Sequence, residues 1–297
     1  MNRKKNTSFT LIELLVVVVI IGILAGVIMI STSSSIDKAN IAKLKVFEES
    51  VSNNLAANMI SRWKLDEIIG TIAPYTTSDT WGSSIGTLGD GATSSTFPTF
   101  KATSECVNDG CYNFDGGDHI NCGDSVGLLS SLTISVWVKS AIGSSNIFNN
   151  HDHLPAGNNI LLHFNGAGFY LQADDGTASN YLAWNNSLKT NMWYNLVGTW
   201  DGNIMKLYIN GVAQPSTLSF SGGTNCRLNG GLNIGRYFNT GQPGFQGLID
   251  DVRLYSAALS SSQIKQNYIA GLNSLLANRN MSKEEYNQRI ETLGASF

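Results

Sequence analysis

Charged side chains are scarce in this sequence, and basic ones are the scarcest. Only 14% of the 297 residues are charged, whereas an average soluble domain has about 25%. Asparagine alone is more frequent than lysine and arginine together, and three of the 19 basic residues are Arg3, Lys4 and Lys5 at the N-terminus. A protein that binds nucleic acid needs a dense basic surface. The composition therefore argues against nucleic acid as a partner.

Proline is also rare, and the first of the five prolines is Pro74. The region before it contains a long apolar run, Phe9–Ile30, with Glu13 as its only charge. As a helix this run would be about 33 Å long, which is enough to cross a hydrocarbon core of about 30 Å. Because basic residues precede the run, the positive-inside rule keeps residues 1–8 in the cytoplasm. We predict a basic leader at 1–8, a transmembrane helix at 9–30 and a chain that continues outside the cytoplasm.

Glu13 is unusual because a carboxylate within a membrane helix costs about 2.5–3.5 kcal/mol and so indicates a function. The stretch KKNTSFTLIEL, from Lys4 to Leu14, resembles the N-terminal segment of type IV pilins and type II secretion pseudopilins. The resemblance implies that a prepilin peptidase cuts between Ser8 and Phe9 and that the new amine is methylated. It also implies that Glu13 meets the amine of a neighbouring pilin-like subunit during assembly. Ser8 stands where the family normally has glycine, and a plain signal anchor is the alternative.

The apolar run continues into a stretch with helical periodicity. Apolar residues recur at spacings of three and four on one stripe, namely Leu44, Phe47, Val51, Leu55 and Met59. Such a stripe is typical of a helix that packs one face against a domain. We predict an extracytoplasmic amphipathic helix over residues 31–61.

The pattern changes after residue 62 to short β-rich runs that are separated by Gly, Asn, Asp and Ser. The clearest runs are Leu132–Lys139, Asn159–Phe164, Gly168–Ala173, Trp193–Trp200, Ile204–Asn210 and Gly247–Tyr255. Asp201-Gly202 and Asn210-Gly211 are typical hairpin turns. Many strands without alternating helices predict a mainly β sandwich. The Gly/Ser/Thr-rich stretch Ile85–Thr99 is expected to be a surface loop.

Several of these segments together resemble the laminin-G-like, or concanavalin A-like, jelly-roll family. The resemblance extends over residues 62–270 and is carried by WKLDE, NFDGGDHI, LTISVWVK, TWDG, LYING and GLIDDVRLY. It implies a jelly-roll β-sandwich, a fold that hosts both binding and purely structural roles. The capping patterns Ser260–Gln263 and Ser282–Glu285 predict helices near the C-terminus, with a short helical tail at 271–297. This tail could dock on the sandwich or on a partner subunit.

Four cysteines follow the apolar run, namely Cys106, Cys111, Cys122 and Cys226. An even number outside the cytoplasm predicts two disulfides, with three possible pairings. We favour Cys106–Cys111, which closes a short loop, together with Cys122–Cys226. A zinc site is the alternative, but the sequence has no CxxC pair.

Four aspartates are candidate ligands for calcium, because hard oxygen ligands suit this ion. Asp115 and Asp118 lie near the start of the β-rich region, and Asp250 and Asp251 lie near its end. The first and last strands of laminin-G-like domains tend to be neighbours, so the resemblance implies that these carboxylates converge. The alternative is that they cap turns by accepting backbone N–H groups.

Trp184, Asp174 and Asp175 are the candidate ligand-binding residues, because an aromatic ring and polar groups suit a sugar. A second, weaker candidate is the pair His151 and His153, which could bind a metal. The other tryptophans of the strands are expected in the core, namely Trp137, Trp193 and Trp200.

The ExDxxE motif of related jelly-roll glycosidases does not occur, so we predict no enzymatic activity. The sequence instead predicts a pilin-like protein of the cell surface or pilus, as a minor filament subunit or a membrane-anchored display protein. Its β-domain would be an adhesion module for an extracellular glycan or protein. One alternative is a secretion pseudopilin whose β-domain is structural, and another is a membrane-anchored glycan hydrolase.

Overall fold

In the computed structural model the chain forms two compact units, residues 1–46 and 47–297. The structure describes residues 11–12, 14–16, 18–20, 39, 42–44, 46–68, 75–89, 91, 94–123, 127–141, 145–150, 159–165, 168–174, 179–184, 188–219, 226–228, 232–236 and 244–294. The residues described in the first unit are helical. Among all described residues, no helix combines the length and the apolar character that crossing a membrane requires. Ser8, Phe9 and Glu13 lie outside the described residues, so the transmembrane helix at 9–30 stays a prediction.

The second unit begins with a helix at 47–55 and continues mainly as strands. Two helices follow the last strand, α1 (Ser261–Ala277) and α2 (Lys283–Gly294). The described strands are β1 (Met59–Trp63), β2 (Thr76–Thr77), β3 (Gly86–Leu88), β4 (Thr99–Ala102), β5 (Gly110–Asp115), β6 (Ile120–Asn121), β7 (Gly127–Leu129), β8 (Leu132–Ser140), β9 (Ser145–Asn150), β10 (Asn159–Asn165), β11 (Gly168–Asp174), β12 (Ser179–Trp184), β13 (Tyr194–Trp200), β14 (Ile204–Ile209), β15 (Val212–Ser219), β16 (Cys226–Leu228), β17 (Leu232–Ile234) and β18 (Gln246–Tyr255).

The strands form two large sheets and a small one. Sheet I has the order β15–β14–β13–β8–β18–β5–β4, and β1 pairs with β18 beside this row. Sheet II has the order β12–β11–β10–β9–β17–β6–β3–β2, and β7 pairs with β16 separately. The first and last strands are therefore neighbours, as the jelly-roll resemblance implied. The six strands predicted from sequence are confirmed to within one residue at each end.

The main core lies between sheets I and II. In β8 every second side chain faces this core, namely Ile134, Val136 and Val138. Phe148, Leu162 and Ile234 meet them from sheet II, and burying a side chain of this size contributes about 1.5–3 kcal/mol. The predicted core tryptophans are all buried, but only Trp200 lies in this cluster, whereas Trp137 and Trp193 lie in a second one.

Sheet I is buried on its outer face as well, because α1 and α2 cover it. The Trp137 ring of β8 stacks on Tyr268 of α1 with the ring centroids 5.5 Å apart. Gly271 allows this approach, since a Cβ at that position would lie 2.3 Å from Trp137 Cζ2. The Ser260–Gln263 capping box that begins α1 is confirmed, and the Ser282 hydroxyl accepts a hydrogen bond from the Glu285 N–H at the start of α2. The helical tail therefore docks on the sandwich.

The helix at 47–55 is also part of the domain. Val51 and Leu55 are buried together with Val197, Tyr208 and Tyr255 of sheet I. The predicted helix to residue 61 is too long, because a short 3-10 turn follows Leu55 and β1 begins at Met59. Two other predicted boundaries also need correction: α1 runs through residue 271, and β3 lies within the stretch 85–99 that was expected to be a loop.

A buried charge cluster joins the helix 47–55, β1, β18 and α1. Asp251 Oδ1 accepts hydrogen bonds from Arg62 Nε at 2.8 Å and from Arg253 Nε at 2.9 Å. Arg253 Nη1 donates to Asn267 Oδ1 of α1 at 2.6 Å, and Arg62 Nη2 lies 3.7 Å from Glu48 Oε1. Burial alone would raise the pKa of Asp251, but the two guanidinium groups hold it well below its ordinary value. We call Asp251, Arg62, Arg253 and Asn267 the clasp.

The clasp depends on a β-bulge in β18. The register with β8 shifts between Asp250 and Arg253, and Asp251 has a positive φ of 49°. A bulge adds one residue to a strand and redirects side chains locally. Here the extra residue keeps Val252 in the main core and places Arg253 opposite Ser135 of β8, where its guanidinium bonds Asp251 beneath the helices.

Cys106 and Cys111 form the predicted short disulfide. The loop that they close rests on buried Asp250, whose Oδ2 accepts the N–H groups of Val107 and Asn108 at 2.8 and 3.0 Å. Asn278, at the end of α1, donates its amide to the carbonyls of the same two residues. The disulfide loop is thereby fastened both to sheet I and to the C-terminal helices.

The predicted Cys122–Cys226 disulfide is wrong, because Cys122 is a free, buried cysteine. Its N–H donates to the carbonyl of Leu232 beside sheet II, and its side chain belongs to the main core. Cys226 lies in β16, which pairs with β7 in the separate small sheet. Burial raises the pKa of the Cys122 thiol well above its ordinary value.

We predict that Asp251→Asn destabilises the domain by about 3–5 kcal/mol, because it removes the buried counter-charge that two guanidinium groups share and leaves Arg62 only its contact with Glu48. Urea unfolding of the full chain, followed by tryptophan fluorescence, measures this loss. Glu105→Gln is the matched control, because the Lys101–Glu105 pair is largely exposed and should contribute less than about 1 kcal/mol. Equal losses for the two variants would contradict a structural role for the clasp.

Candidate functional site

The four aspartates that were predicted to converge lie in three different environments. Asp250 lies under the disulfide loop, and Asp251 lies in the clasp. In the register of sheet I, Asp250 is opposite Trp137 of β8, whereas Asp115 is opposite Gln246 at the other end of β18. The neighbouring strands therefore place the two pairs of aspartates apart, and their convergence into one site is wrong.

Asp115 and Asp118 do lie together, in the turn after β5. Asp118 Oδ2 accepts the Asp115 N–H at 2.9 Å, and Asp115 Oδ1 accepts the Gly117 N–H at 2.8 Å. Burial raises the pKa of Asp118 to about 6. Both carboxylates thus have the turn-capping contacts that were the alternative to calcium. The described residues contain no group of three or more His, Cys, Asp or Glu side chains that could hold a metal ion.

The predicted ligand-binding residues lie along one hairpin but not at one point. Trp184 ends β12 and is opposite Phe169, whereas Asp174 ends β11 and is opposite Ser179. These two pairs are at opposite ends of the hairpin, about 17 Å apart at roughly 3.4 Å per residue. Asp175, His151 and His153 lie outside the described residues.

A row of amide side chains crosses sheet II on the face that points away from the core. Asn149, Asn233 and Asn121 are directly opposite one another in β9, β17 and β6, and Thr87 of β3 follows them. Their sequence neighbours Phe148, Ile234 and Ile120 are core residues, so alternation along each strand turns the amides outward. Asn121 is exposed, Thr87 is half-buried, and Asn233 and Asn149 are buried. We call these four residues the amide row.

Two further polar residues lie beside the amide row. His163 Nδ1 is 2.8 Å from Asn146 Oδ1, and burial lowers the pKa of His163 to about 4, so its imidazole is neutral at physiological pH. Asn149 Nδ2 donates to the carbonyl of Arg236, whereas its buried Oδ1 accepts no hydrogen bond from the described residues. A buried acceptor of this kind costs free energy unless a ligand or water satisfies it.

The sequence analysis missed the amide row, although a local signal was present. Asn121 lies between Ile120 and Cys122, and Asn233 lies between Leu232 and Ile234. Each triplet shows apolar–polar–apolar alternation, which is typical of a strand with one polar face. β6 and β17 are too short for this alternation to stand out from the surrounding Gly- and Asn-rich sequence. Their pairing with β9 and β3 is not visible in sequence at all.

Two sequence families match the chain. The family described as the concanavalin A-like lectin/glucanases superfamily matches residues 114–265, about half of the chain. The prokaryotic N-terminal methylation motif matches residues 3–29. No curated protein matches the sequence.

Solved structures with the same fold include a domain of an extracellular enzyme and the binding domains of two other proteins. Domain 4 of AbnA, a GH43 extracellular arabinanase from Geobacillus stearothermophilus, has a TM-score of 0.53 at 20% identity, over 71% of this chain and 98% of that domain. The ligand binding domain of botulinum neurotoxin serotype D has a TM-score of 0.54 at 17% identity, over 75% of this chain and 53% of the toxin chain. The binding domain of Paraclostridial Mosquitocidal Protein 1 has a TM-score of 0.53 at 14% identity, over 74% and 53%.

This chain spans about half the length of the two toxin domains, and identities this low establish the fold alone. The two family matches identify the families as well as the fold, and they agree with the sheet topology and with the N-terminal sequence pattern. The chain belongs to the concanavalin A-like lectin/glucanases superfamily and carries a prokaryotic N-terminal methylation motif ahead of its jelly-roll domain.

Proposed function

We propose that this protein is a minor pilin-like subunit that displays a glycan-binding jelly-roll domain outside the cell. The observation that carries the proposal is the difference between the two sheets. The outer face of sheet I is covered by α1, α2 and the helix 47–55, whereas the outward face of sheet II carries the amide row, of which Asn121 is exposed and Thr87 is half-buried. Amide groups both donate and accept hydrogen bonds, which suits the hydroxyl groups of a sugar.

The structural relatives support a glycan as the ligand. The arabinanase domain was solved in complex with arabinotriose, and the serotype D toxin domain was solved in complex with N-acetylneuraminic acid. Both ligands are carbohydrates, although one is neutral and the other acidic. We therefore propose carbohydrate as the ligand class and use these two compounds as the first probes.

The hydrolase alternative has less support. The amide row contains no carboxylate, whereas glycoside hydrolysis ordinarily needs a pair. The segment Gly82–Gly86 has the GxSxG spacing, but it leads into a strand. A nucleophile elbow instead requires a turn from a strand into a helix.

We predict that Asn121→Ala weakens glycan binding by about three- to tenfold, because it removes one hydrogen bond of about 0.5–1.5 kcal/mol. Binding of the full chain to arabinotriose, N-acetylneuraminic acid and an immobilised glycan panel measures the effect. Asn203→Ala in an exposed hairpin turn of sheet I is the matched control and should bind like the wild type. If no glycan binds, the β-domain is structural and the pseudopilin alternative is favoured. If glycan binds and both variants bind it equally well, the binding site lies outside the amide row.

The assembly part of the proposal predicts that Glu13→Ala enters the membrane but is lost from sheared filaments, by about tenfold or more. The methylated amine of Phe9 in the neighbouring subunit would lose its counter-charge in a medium of low dielectric. Quantitative immunoblots of membrane and sheared fractions measure the ratio. Glu49→Ala, at an exposed helical position, should assemble normally. Normal assembly of Glu13→Ala would remove the role that we assign to this carboxylate.

Calcium binding by Asp115 and Asp118 stays a prediction, and Asp118 allows a test. Its pKa of about 6 exceeds the ordinary value of 3.8, so its contribution to stability grows as the pH falls from about 7 toward 4. Asp118→Asn should remove that contribution, as measured by denaturant unfolding across this pH range. If calcium binds, it should raise the melting temperature of the wild type at neutral pH but not that of Asp118→Asn. Equal shifts would exclude Asp118 as a ligand.

A further inference from the structure

Among the described residues of the jelly-roll unit, the large apolar side chains that remain exposed lie in its N-terminal segments, namely Phe47 (37%), Ile68 (79%), Trp81 (47%) and Ile85 (61%). The last three follow β1 in the chain, and Glu67 beside Ile68 bonds Thr77 and Ser78 just ahead of the segment with Trp81 and Ile85. We call Ile68, Trp81 and Ile85 the β1 patch. An exposed apolar patch marks an interaction site more often than a free surface.

The loop that carries Trp81 and Ile85 is held rigidly by one carboxylate. Asp79 Oδ1 accepts the N–H groups of Arg62, Trp81 and Gly82 at 2.9, 3.0 and 2.8 Å. Asp79 Oδ2 accepts the N–H of Ser84 at 3.2 Å. Four backbone groups on one side chain fix the loop conformation, so Trp81 is presented without further ordering of the backbone.

The loop also packs tightly against β1. A Cβ at Gly82 would lie 2.4 Å from the Ile60 carbonyl oxygen and 2.5 Å from Asp79 Oδ2, so only glycine fits there. The buried Trp63 indole N–H donates to the Ser84 carbonyl at 2.7 Å. Rigid presentation lowers the entropic cost of binding, because little freedom is lost when a partner docks.

The chemistry around the patch favours a protein over a sugar. Both oxygens of Asp79 are used by the loop backbone, and Glu67 beside Ile68 accepts hydrogen bonds from the Thr77 hydroxyl and the Ser78 N–H. These nearby carboxylates are therefore already engaged, whereas a sugar ring needs polar partners as well as an aromatic face. A tryptophan with flanking aliphatic side chains instead resembles the centre of a protein interface.

The position of the patch indicates which protein would dock. The loop is bonded to Arg62 of β1, the strand that follows the helix 47–55, and Arg62 in turn contacts Glu48 of that helix. The same chain carries the N-terminal methylation motif at residues 3–29, a segment through which pilin-like subunits would assemble. The loop of the β1 patch is thus bonded to the strand that directly follows the helix 47–55.

We propose that Trp81, Ile85 and Ile68 form a docking surface for a neighbouring pilin-like subunit of the same filament. This inference rests on the proposed filament assembly. In this proposal two parts of the chain contact the neighbouring subunit: the N-terminal helix and, through the β1 patch, the jelly-roll domain. The partner meets Trp81 as a preformed apolar anchor, while the clasp beneath β1 keeps the loop and the helix 47–55 in one rigid body.

Photo-cross-linking in the native filament tests this surface. Benzoylphenylalanine replaces Trp81 in the full chain, and Thr217, an exposed position in β15, receives the same group as a control. After irradiation, adducts in the sheared fraction are identified by mass spectrometry. We expect position 81 to yield adducts with a protein that bears an N-terminal methylation segment, about tenfold above position 217. The adducts should disappear when Glu13→Ala is added.

Recovery of the wild-type chain in the same sheared fraction distinguishes failure of the proposed function from failure of the docking surface alone. If the wild type is not found in filaments, the proposed function fails and this inference fails with it. If the wild type assembles but position 81 gives no pilin-like adduct above position 217, the docking surface alone is overturned.

Trp81→Ala and Trp81→Phe give a second readout. Trp81→Ala should lower the recovery of the protein in sheared filaments several-fold, and Trp81→Phe should restore most of it, because the anchor is apolar and aromatic. Glycan binding by both variants should equal that of the wild type. If Trp81→Ala assembles normally and loses glycan binding instead, Trp81 is a sugar platform and the docking proposal is wrong.

Discussion

Asp251 accepts hydrogen bonds from two buried arginines, and this one carboxylate joins the first strand to the last and, through Arg62 and Glu48, reaches the helix 47–55. Arg62 comes from the first strand and Arg253 from the last, while Asn267 extends the network to α1. Removing charges from water is expensive, so such a cluster persists only when each member is satisfied. The bulge at Asp251 makes this possible, because it keeps Val252 in the main core and places Arg253 beneath the helices, where it bonds Asp251.

The covering of sheet I is the reason why we propose the glycan site on sheet II. Trp137, Tyr268 and Gly271 fit α1 closely onto this sheet, and Asp250 with Asn278 fastens the disulfide loop beside it. Asp250 and Asp251, two of the four aspartates that were predicted as calcium ligands, thereby make structural contacts, whereas calcium binding by Asp115 and Asp118 stays a prediction. Sheet II keeps the polar outward face, and the amide row together with neutral His163 gives it a chemistry of hydrogen bonding without charge.

The sequence allowed the strands and their family to be predicted because alternation and turn residues are local signals. LTISVWVK shows both faces of β8, and Asp201-Gly202 marks the hairpin that follows β13. The burial of Asp250 under the disulfide loop and the free thiol of Cys122 could not be predicted, because both depend on contacts between distant segments. The same reason explains the amide row, whose members lie in short strands that are joined only by the sheet. Trp184 and Asp174 were predicted to share a site, but the β11–β12 hairpin places them at opposite ends.

In the function that we propose, one chain joins a processed pilin-like helix to a displayed jelly-roll domain. Mass spectrometry of the N-terminal peptide, taken separately from sheared and membrane fractions, shows whether the helix is processed. We expect a peptide that begins at N-methylated Phe9 and is enriched in the sheared fraction. A peptide that begins at Met1 and occurs only in membranes would contradict it, because an uncut leader at Ser8 would leave the jelly-roll domain on a simple membrane anchor.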